Sequence, residues 1–243
     1  MTPEEAVRAT KDAVVGLPAG FMMAGYTYKR AAESGFEGID FYFAGRAGPL
    51  GDVDSAVVAA ALVFFNPDAV KEAWERSAKV MARRDAVALF TECLTAWATR
   101  RLPEVVDHTH LAELLGRVNS HASVAAVPLF AAWRAMPEPG EPRALALHRL
   151  NVLRELRGGL HGAAVVAAGI EPRDAVVLRT PFMTGVFGWP EPHPDVSSCQ
   201  ASWEQAEAAT ERAVARAYAV LDEGELSELV DLLTAADKGT DRS

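Results

Sequence analysis

The chain has 243 residues, half of them apolar, and carries 33 Asp and Glu against 24 Lys and Arg for a formal charge of −9. That length and apolar content predict one large domain or two tightly packed halves, and the acidic balance has the wrong sign for spreading over a phosphate backbone. Apolar runs such as 56–65 are half the roughly twenty residues of a bilayer crossing, the N-terminus opens acidic, and Cys93 and Cys199 lack disulfide-scaffold number and zinc-knuckle spacing, so a cytoplasmic protein with no membrane partner is predicted.

In chain order, Thr2-Pro3-Glu4-Glu5 places a capping hydroxyl, a first-turn proline and early carboxylates at a helix start, and Gly16-Leu-Pro-Ala-Gly20 is predicted to end that helix. Residues 21–43 are rich in aromatics, with Gly25, Gly35 and Gly38 as interruptions. The short run 38–45 resembles a strand but has no alternating partner, so an irregular or helical approach to Arg46 is expected. Helices are predicted over 52–65, from Asn66-Pro67 through Trp74, over 83–102, within 103–117 and over 122–133. The proline-rich 136–142 is the best boundary in the chain, because the residue before each proline is pushed out of helix. A central helix over 144–156 follows, then short helices over 161–168 and 173–178, a Gly/Pro/aromatic loop over 180–194 that packs over something, helices over 203–221 and 225–235, and a frayed tail over 236–243.

One pattern occurs twice. Arg46-Ala-Gly-Pro-Leu-Gly51, then Ala56-Val-Val-Ala-Ala-Ala61 and Asn66-Pro-Asp-Ala-Val70, is echoed by Arg157-Gly-Gly-Leu-His-Gly162, Ala164-Val-Val-Ala-Ala-Gly169 and Glu171-Pro-Arg-Asp-Ala-Val176. Each copy reads as an arginine, a glycine turn, a small-residue helix and a Pro-capped helix. The fold expected is therefore all-α, two pseudo-repeated helix-turn-helix-like units packed into one helical domain, an N-terminal half over 1–136 and a C-terminal half over 143–235, with the paired arginine turns at the seam.

Charge is distributed unevenly. Residues 143–179 hold six arginines against three carboxylates, whereas from Trp203 onward ten acidic residues face four basic ones. A locally positive centre in an acidic protein suits capture of a small anion better than nucleic acid. Leu150, Leu153 and Arg157 share one helical stripe, which points the arginine inward. A guanidinium there needs an anion around it. The alternatives are a structural ion pair with Glu155, Asp40 or Asp54, or bidentate donation by Arg157, and by Arg46 through the echo, to an anionic ligand at the seam.

His161 is placed at the start of a helix after a double glycine, where unpaired N–H groups and the helix dipole lower an imidazole's pKa. It reads as a packed or capping residue, a ligand contact, a general base, or an axial ligand to haem, the one cofactor the sequence suggests. His108 and His110 fall on different helix faces, and neither they nor His121 and His148 belong to a metal-binding motif, so no metal is predicted. No phosphate-binding loop and no Gly-x-Ser-x-Gly elbow is present. Tyr26, Tyr28, Phe41, Tyr42, Phe182, Phe187 and Trp189 flank the arginine turns; as core they join helical layers, and as a cleft lining they favour a flat anionic compound.

Pro128-Leu-Phe-Ala-Ala-Trp-Arg-Ala-Met-Pro-Glu-Pro-Gly-Glu-Pro-Arg, the run from Leu153 to Gly169, Tyr42-Phe-Ala-Gly-Arg-Ala-Gly-Pro-Leu-Gly51 with Asn66-Pro67, and Glu207-Ala-Ala-Thr-Glu-Arg212 together resemble a family of actinobacterial proteins labelled helix-turn-helix. Arg46, Arg157 and His161 fall on its motifs. Leu156 stands where that family tends to have histidine, Gly159 where it has aspartate, and residues 180–205 occupy the place of its winged-helix-like stretch. The leading expectation is a sensor or carrier-like protein binding an anionic or aromatic small molecule between the halves. Arg46 and Arg157 would anchor charge, His161 would hydrogen-bond, and Tyr42 and Trp189 would enclose. The alternatives are an enzyme of specialised metabolism on the same cleft with His161 catalytic and, third, a DNA-binding regulator using Arg173 and Arg179. The apolar surplus and small-residue helices fit a homodimer.

Overall fold

In the computed structural model, which describes residues 1–241, every regular element is helical and no strand occurs among the described residues. The α-helices in order are α1 (Pro3–Met22), α2 (Gly25–Glu33), α3 (Asp40–Ala47), α4 (Ser55–Ala61), α5 (Pro67–Val80), α6 (Arg83–Arg101), α7 (His108–His121), α8 (Pro128–Arg134), α9 (Pro142–Ala167), α10 (Pro172–Arg179), α11 (Gln200–Tyr218) and α12 (Glu223–Gly239). The all-α expectation is met, and no described helix is long and apolar enough to cross a membrane.

Six of the twelve described α-helices start on a side-chain cap. Thr2 and Glu5 form a reciprocal capping box, Asn66 caps α5 through the Asp68 N–H ahead of Pro67, and Asp222 with Glu225 repeats the box at α12. Several expected stops are not stops. Helix α1 continues through Pro18 to Met22 because Leu17, Phe21 and Met22 are buried and Gly20 lies against Trp97, so packing outweighs the proline. Helix α8 begins only at Pro128, since Ala126 adopts a left-handed φ of 63° that breaks the helix expected over 122–133. The predicted helix over 52–65 is confined to Ser55–Ala61, capped by Asp54. Helix α12 extends to Gly239 with Ala236 buried, so the tail expected to fray from 236 is helical over its first four residues; positions 242 and 243 lie outside the described residues.

The largest correction concerns α9. Its 26 residues run without a break through Gly158, Gly159 and Gly162, so Arg157 and His161 sit in a helix interior and not at a turn. Burial of Leu147, Leu150, Leu153, Leu156 and Val165 along the whole length compensates for the glycines' helix cost of about 1 kcal/mol each. Two of those glycines are places of close approach: a Cβ on Gly159 would stand 2.9 Å from a Val127 methyl, and one on Gly162 2.8 Å from a Val63 methyl. The first copy of the glycine pattern does turn, through a 3-10 segment over Gly48–Leu50 and Gly51 at φ 82°. The two arginine–glycine runs therefore fold differently, while each small-residue helix is followed by a Pro-started one, α5 and α10.

Helix α9 forms the axis of the molecule, touched by α1, α6, α7, α8, α10 and α11; α1 also packs on α11 and α12, and α3 lies on α5 and α6. The main hydrophobic core draws on residues from α1 to α12. The loop over 180–194 folds back onto α5: the Asn66 N–H donates to the Phe187 carbonyl at 2.8 Å, and Phe187 packs on Phe65 with centroids 4.7 Å apart. The expectation that this loop covers something is met.

Candidate functional site: a cavity walled by arginines

One side of α9 carries Arg154, Arg157, Gly158 and His161 at three- and four-residue spacing. They face a cavity of about 220 Å³ lined also by Tyr42 and Arg46 of α3, the 61–65 segment at and after the end of α4, Val127 and Leu129 around the start of α8, and Phe187 of the folded-back loop. Four of the five residues expected from the sequence, Tyr42, Arg46, Arg157 and His161, line it. Trp189 does not: its indole N–H donates to the Phe64 carbonyl at 2.9 Å, which puts it behind the lining. Of the other flanking aromatics, Phe187 lines the cavity, Phe41 is core against Phe36 and Phe90, Tyr26 lies under Arg100, and Phe182 is 83% exposed.

Two ion-pair clusters hold the arginines. In the first, Arg46 donates from Nε and Nη2 to the two oxygens of Glu155, both at 2.9 Å, and from Nη1 to the Tyr42 hydroxyl. Arg154 Nη1 donates to the same carboxylate at 2.7 Å. Burial alone would neutralise Glu155, but Arg46 and Arg154 hold its carboxyl below the ordinary range; burial likewise opposes the charge on Arg46, and Glu155 and Tyr42 more than restore it. In the second, Arg157 Nη2 donates to both oxygens of Glu207 at 3.2 and 3.0 Å, and Lys11 donates to one of them. Glu207 is lowered despite its burial by Lys11 and Arg157. The Glu155 partnership expected for Arg157 thus belongs to Arg46, because two residues on a helix are about 200° apart and Glu155 faces α3 while Arg157 reaches α11.

Each carboxylate serves two cations. Along the lining the charged groups are Arg46, Arg154 and Arg157 against Glu155, a surplus of two positive charges, and adding Lys11 and Glu207 leaves it unchanged. Arg154 makes a single hydrogen bond among the described residues, and its buried Nε has no protein partner. That Nε is sealed from the cavity, so the N–H groups Arg154 can offer an occupant are those of its terminal nitrogens left over from the bond to Glu155.

His161 lies between the rings of Phe64 and Trp203, centroids 5.6 and 4.9 Å away. Its Nδ1 is 3.1 Å from Thr210 Oγ1 and 3.4 Å from a Glu207 oxygen. Burial lowers its pKa to about 4, with Glu207 opposing and Arg157 and Lys11 reinforcing, so the ring is neutral near pH 7. Because His161 is inside α9, the helix-terminus cause expected from the sequence does not apply. No site role is readable from sequence for Arg154, Glu207, Thr210 or the Phe64–Phe65 pair. Arg154 leaves a signal, three residues before Arg157 on the same face, and Glu207 and Thr210 fall in a run that carries the family resemblance. The arginines of α10 are occupied elsewhere: Arg173 pairs with Asp174 at 3.1 Å, and Arg179 lies 5.3 Å over the Trp203 ring.

A family model described as a helix-turn-helix family matches residues 7–198. No curated protein and no solved structure matches the chain. The matched stretch includes Arg46, Arg154, Glu155, Arg157 and His161 and stops short of α11, which supplies Glu207 and Thr210.

Proposed function

The chain belongs to this helix-turn-helix family, and from that premise we propose that it is a small-molecule-binding protein whose arginine-walled cavity takes a compact organic anion. The supporting observation is the surplus of two positive charges along a largely apolar lining, together with the terminal N–H groups that Arg154 has left over from its single bond to Glu155. Uncompensated charge is costly away from water, and an incoming carboxylate would offset that cost with charge-assisted hydrogen bonds. Phe64, Phe65, Tyr42 and Phe187 supply flat apolar area. A volume near 220 Å³ is below the usual range of ligand sites, about 300 to 1,000 Å³, and suits a single-ring compound rather than a nucleotide.

Benzoate tests this reading. It should raise the melting temperature of the wild type, the increase growing with the logarithm of its concentration above Kd, and Arg157→Ala should abolish the increase; a variant stabilised as fully as the wild type refutes the anchor. The family description favours a second reading, a DNA-binding regulator whose affinity the bound anion adjusts. The net charge of −9 and the occupied arginines of α10 oppose direct contact with phosphates. A gel shift on promoter DNA decides it, and no binding near about 50 mM salt removes it. For haem on His161, the purified protein's visible spectrum decides, a Soret band being required.

A further inference from the structure

The hydrogen bonds around His161 fix which ring nitrogen carries the proton. Thr210 Oγ1 donates its only hydrogen to the Ala206 carbonyl at 2.7 Å. The contact between that oxygen and His161 Nδ1 must then be donated by the imidazole, and Glu207 at 3.4 Å favours the same assignment. A neutral imidazole protonated on Nδ1 has its lone pair on Nε2. No described side chain bonds to Nε2, and it is not among the sealed buried atoms, while the ring lines the cavity. The arginine wall offers only donors. The Glu155 carboxylate in the same lining is already taken by Arg46 and Arg154, so His161 is a fixed acceptor with no protein donor, and α9 spaces it about 10 Å from Arg154 and about 6 Å from Arg157 at the backbone.

We propose that the occupant is a hydroxylated aromatic carboxylate, whose carboxylate takes the unused N–H groups of Arg154 and Arg157 and whose hydroxyl donates to His161 Nε2. This rests on the anion-cavity reading above and narrows it to ligands bearing a donor opposite the acid. An imidazole that protonates only near pH 4 is a weak base at neutral pH, which makes it an acceptor rather than a proton-abstracting group. A ligand lacking the donor would leave Nε2 desolvated and unpaired, and sites of this kind discriminate strongly against such analogues.

The test is calorimetric titration of the whole protein with 4-hydroxybenzoate, benzoate and 4-methoxybenzoate at pH 7. The expected result is at least tenfold tighter binding of 4-hydroxybenzoate than of the other two, with the preference erased in His161→Phe. Nitrogen-15 spectra of the labelled wild type provide a readout that needs no variant, and Nε2 should be the unprotonated nitrogen. Equal affinity for the three acids, or a proton on Nε2, overturns the proposal and leaves the anion cavity standing. Failure of all three to bind overturns both.

Discussion

At the scale of single residues, Glu155 is the most exposed to perturbation, although it is only 2% accessible to solvent. Two guanidinium groups converge on it, and both would be left facing a low-dielectric wall without it. Removing one partner of a buried ion pair costs about 3–5 kcal/mol, far more than the pair's net contribution. Glu155→Ala should therefore lower unfolding free energy by about that amount in urea titrations, and a loss under about 1 kcal/mol would show that the arginines find water instead. Arg154→Gln breaks one hydrogen bond to the same carboxylate. It should change stability far less while weakening benzoate binding, because that side chain has donors to give a ligand.

The element scale separates three glycines of α9 that the sequence groups together. An added Cβ on Gly158 meets nothing within 4 Å and points to the cavity side, whereas one on Gly162 is driven onto Val63. Gly158→Ala should stabilise the helix by about 0.5–1 kcal/mol and reduce benzoate affinity by narrowing the cavity. Gly162→Ala should destabilise by about 1–3 kcal/mol through overpacking. Thermal unfolding distinguishes them by opposite shifts. The same glycines explain where sequence reasoning stopped short. Local chemistry placed Thr2, Asn66, Pro67 and Pro172 correctly at helix starts, because caps act within four residues. Gly16–Gly20 and Gly158–Gly162 were misjudged as breaks because what holds those helices together lies far along the chain, in Trp97, Val63 and Val127. For the site, periodicity was enough to turn Arg157 inward, and the echo pointed to Arg46. Glu155 is legible as a candidate acid, but which arginine each carboxylate takes is not, since Glu155 reaches Arg46 across 109 positions and Glu207 reaches Arg157 across 50.

For the molecule as a whole, three buried histidines link stability to pH, His108 being lowered by burial and two others shifted further. Burial lowers His148, beside Arg149 and despite Glu138, to about 4, and His161 is lowered to about 4 in its own cluster. Unfolded histidines titrate near 6.5. Between pH 6.5 and 4 the unfolded chain therefore binds more protons than the folded one, and stability must fall as pH falls through that window, by roughly 3 kcal/mol for each of His148 and His161. Above pH 7 these groups contribute no further slope. Urea midpoints measured from pH 7.5 to 4.5 check the sign, and a flat profile over that range would place the rings in contact with water.

All of this depends on the two arginine clusters enclosing a place where an organic anion binds. The most direct measurement is the anomalous diffraction of crystals grown with 4-bromobenzoate. The bromine is expected inside the cavity beside Phe64 and Phe65, with the carboxylate on Arg154 and Arg157; bromine sites confined to the outer surface, with the cavity holding only water, would contradict it.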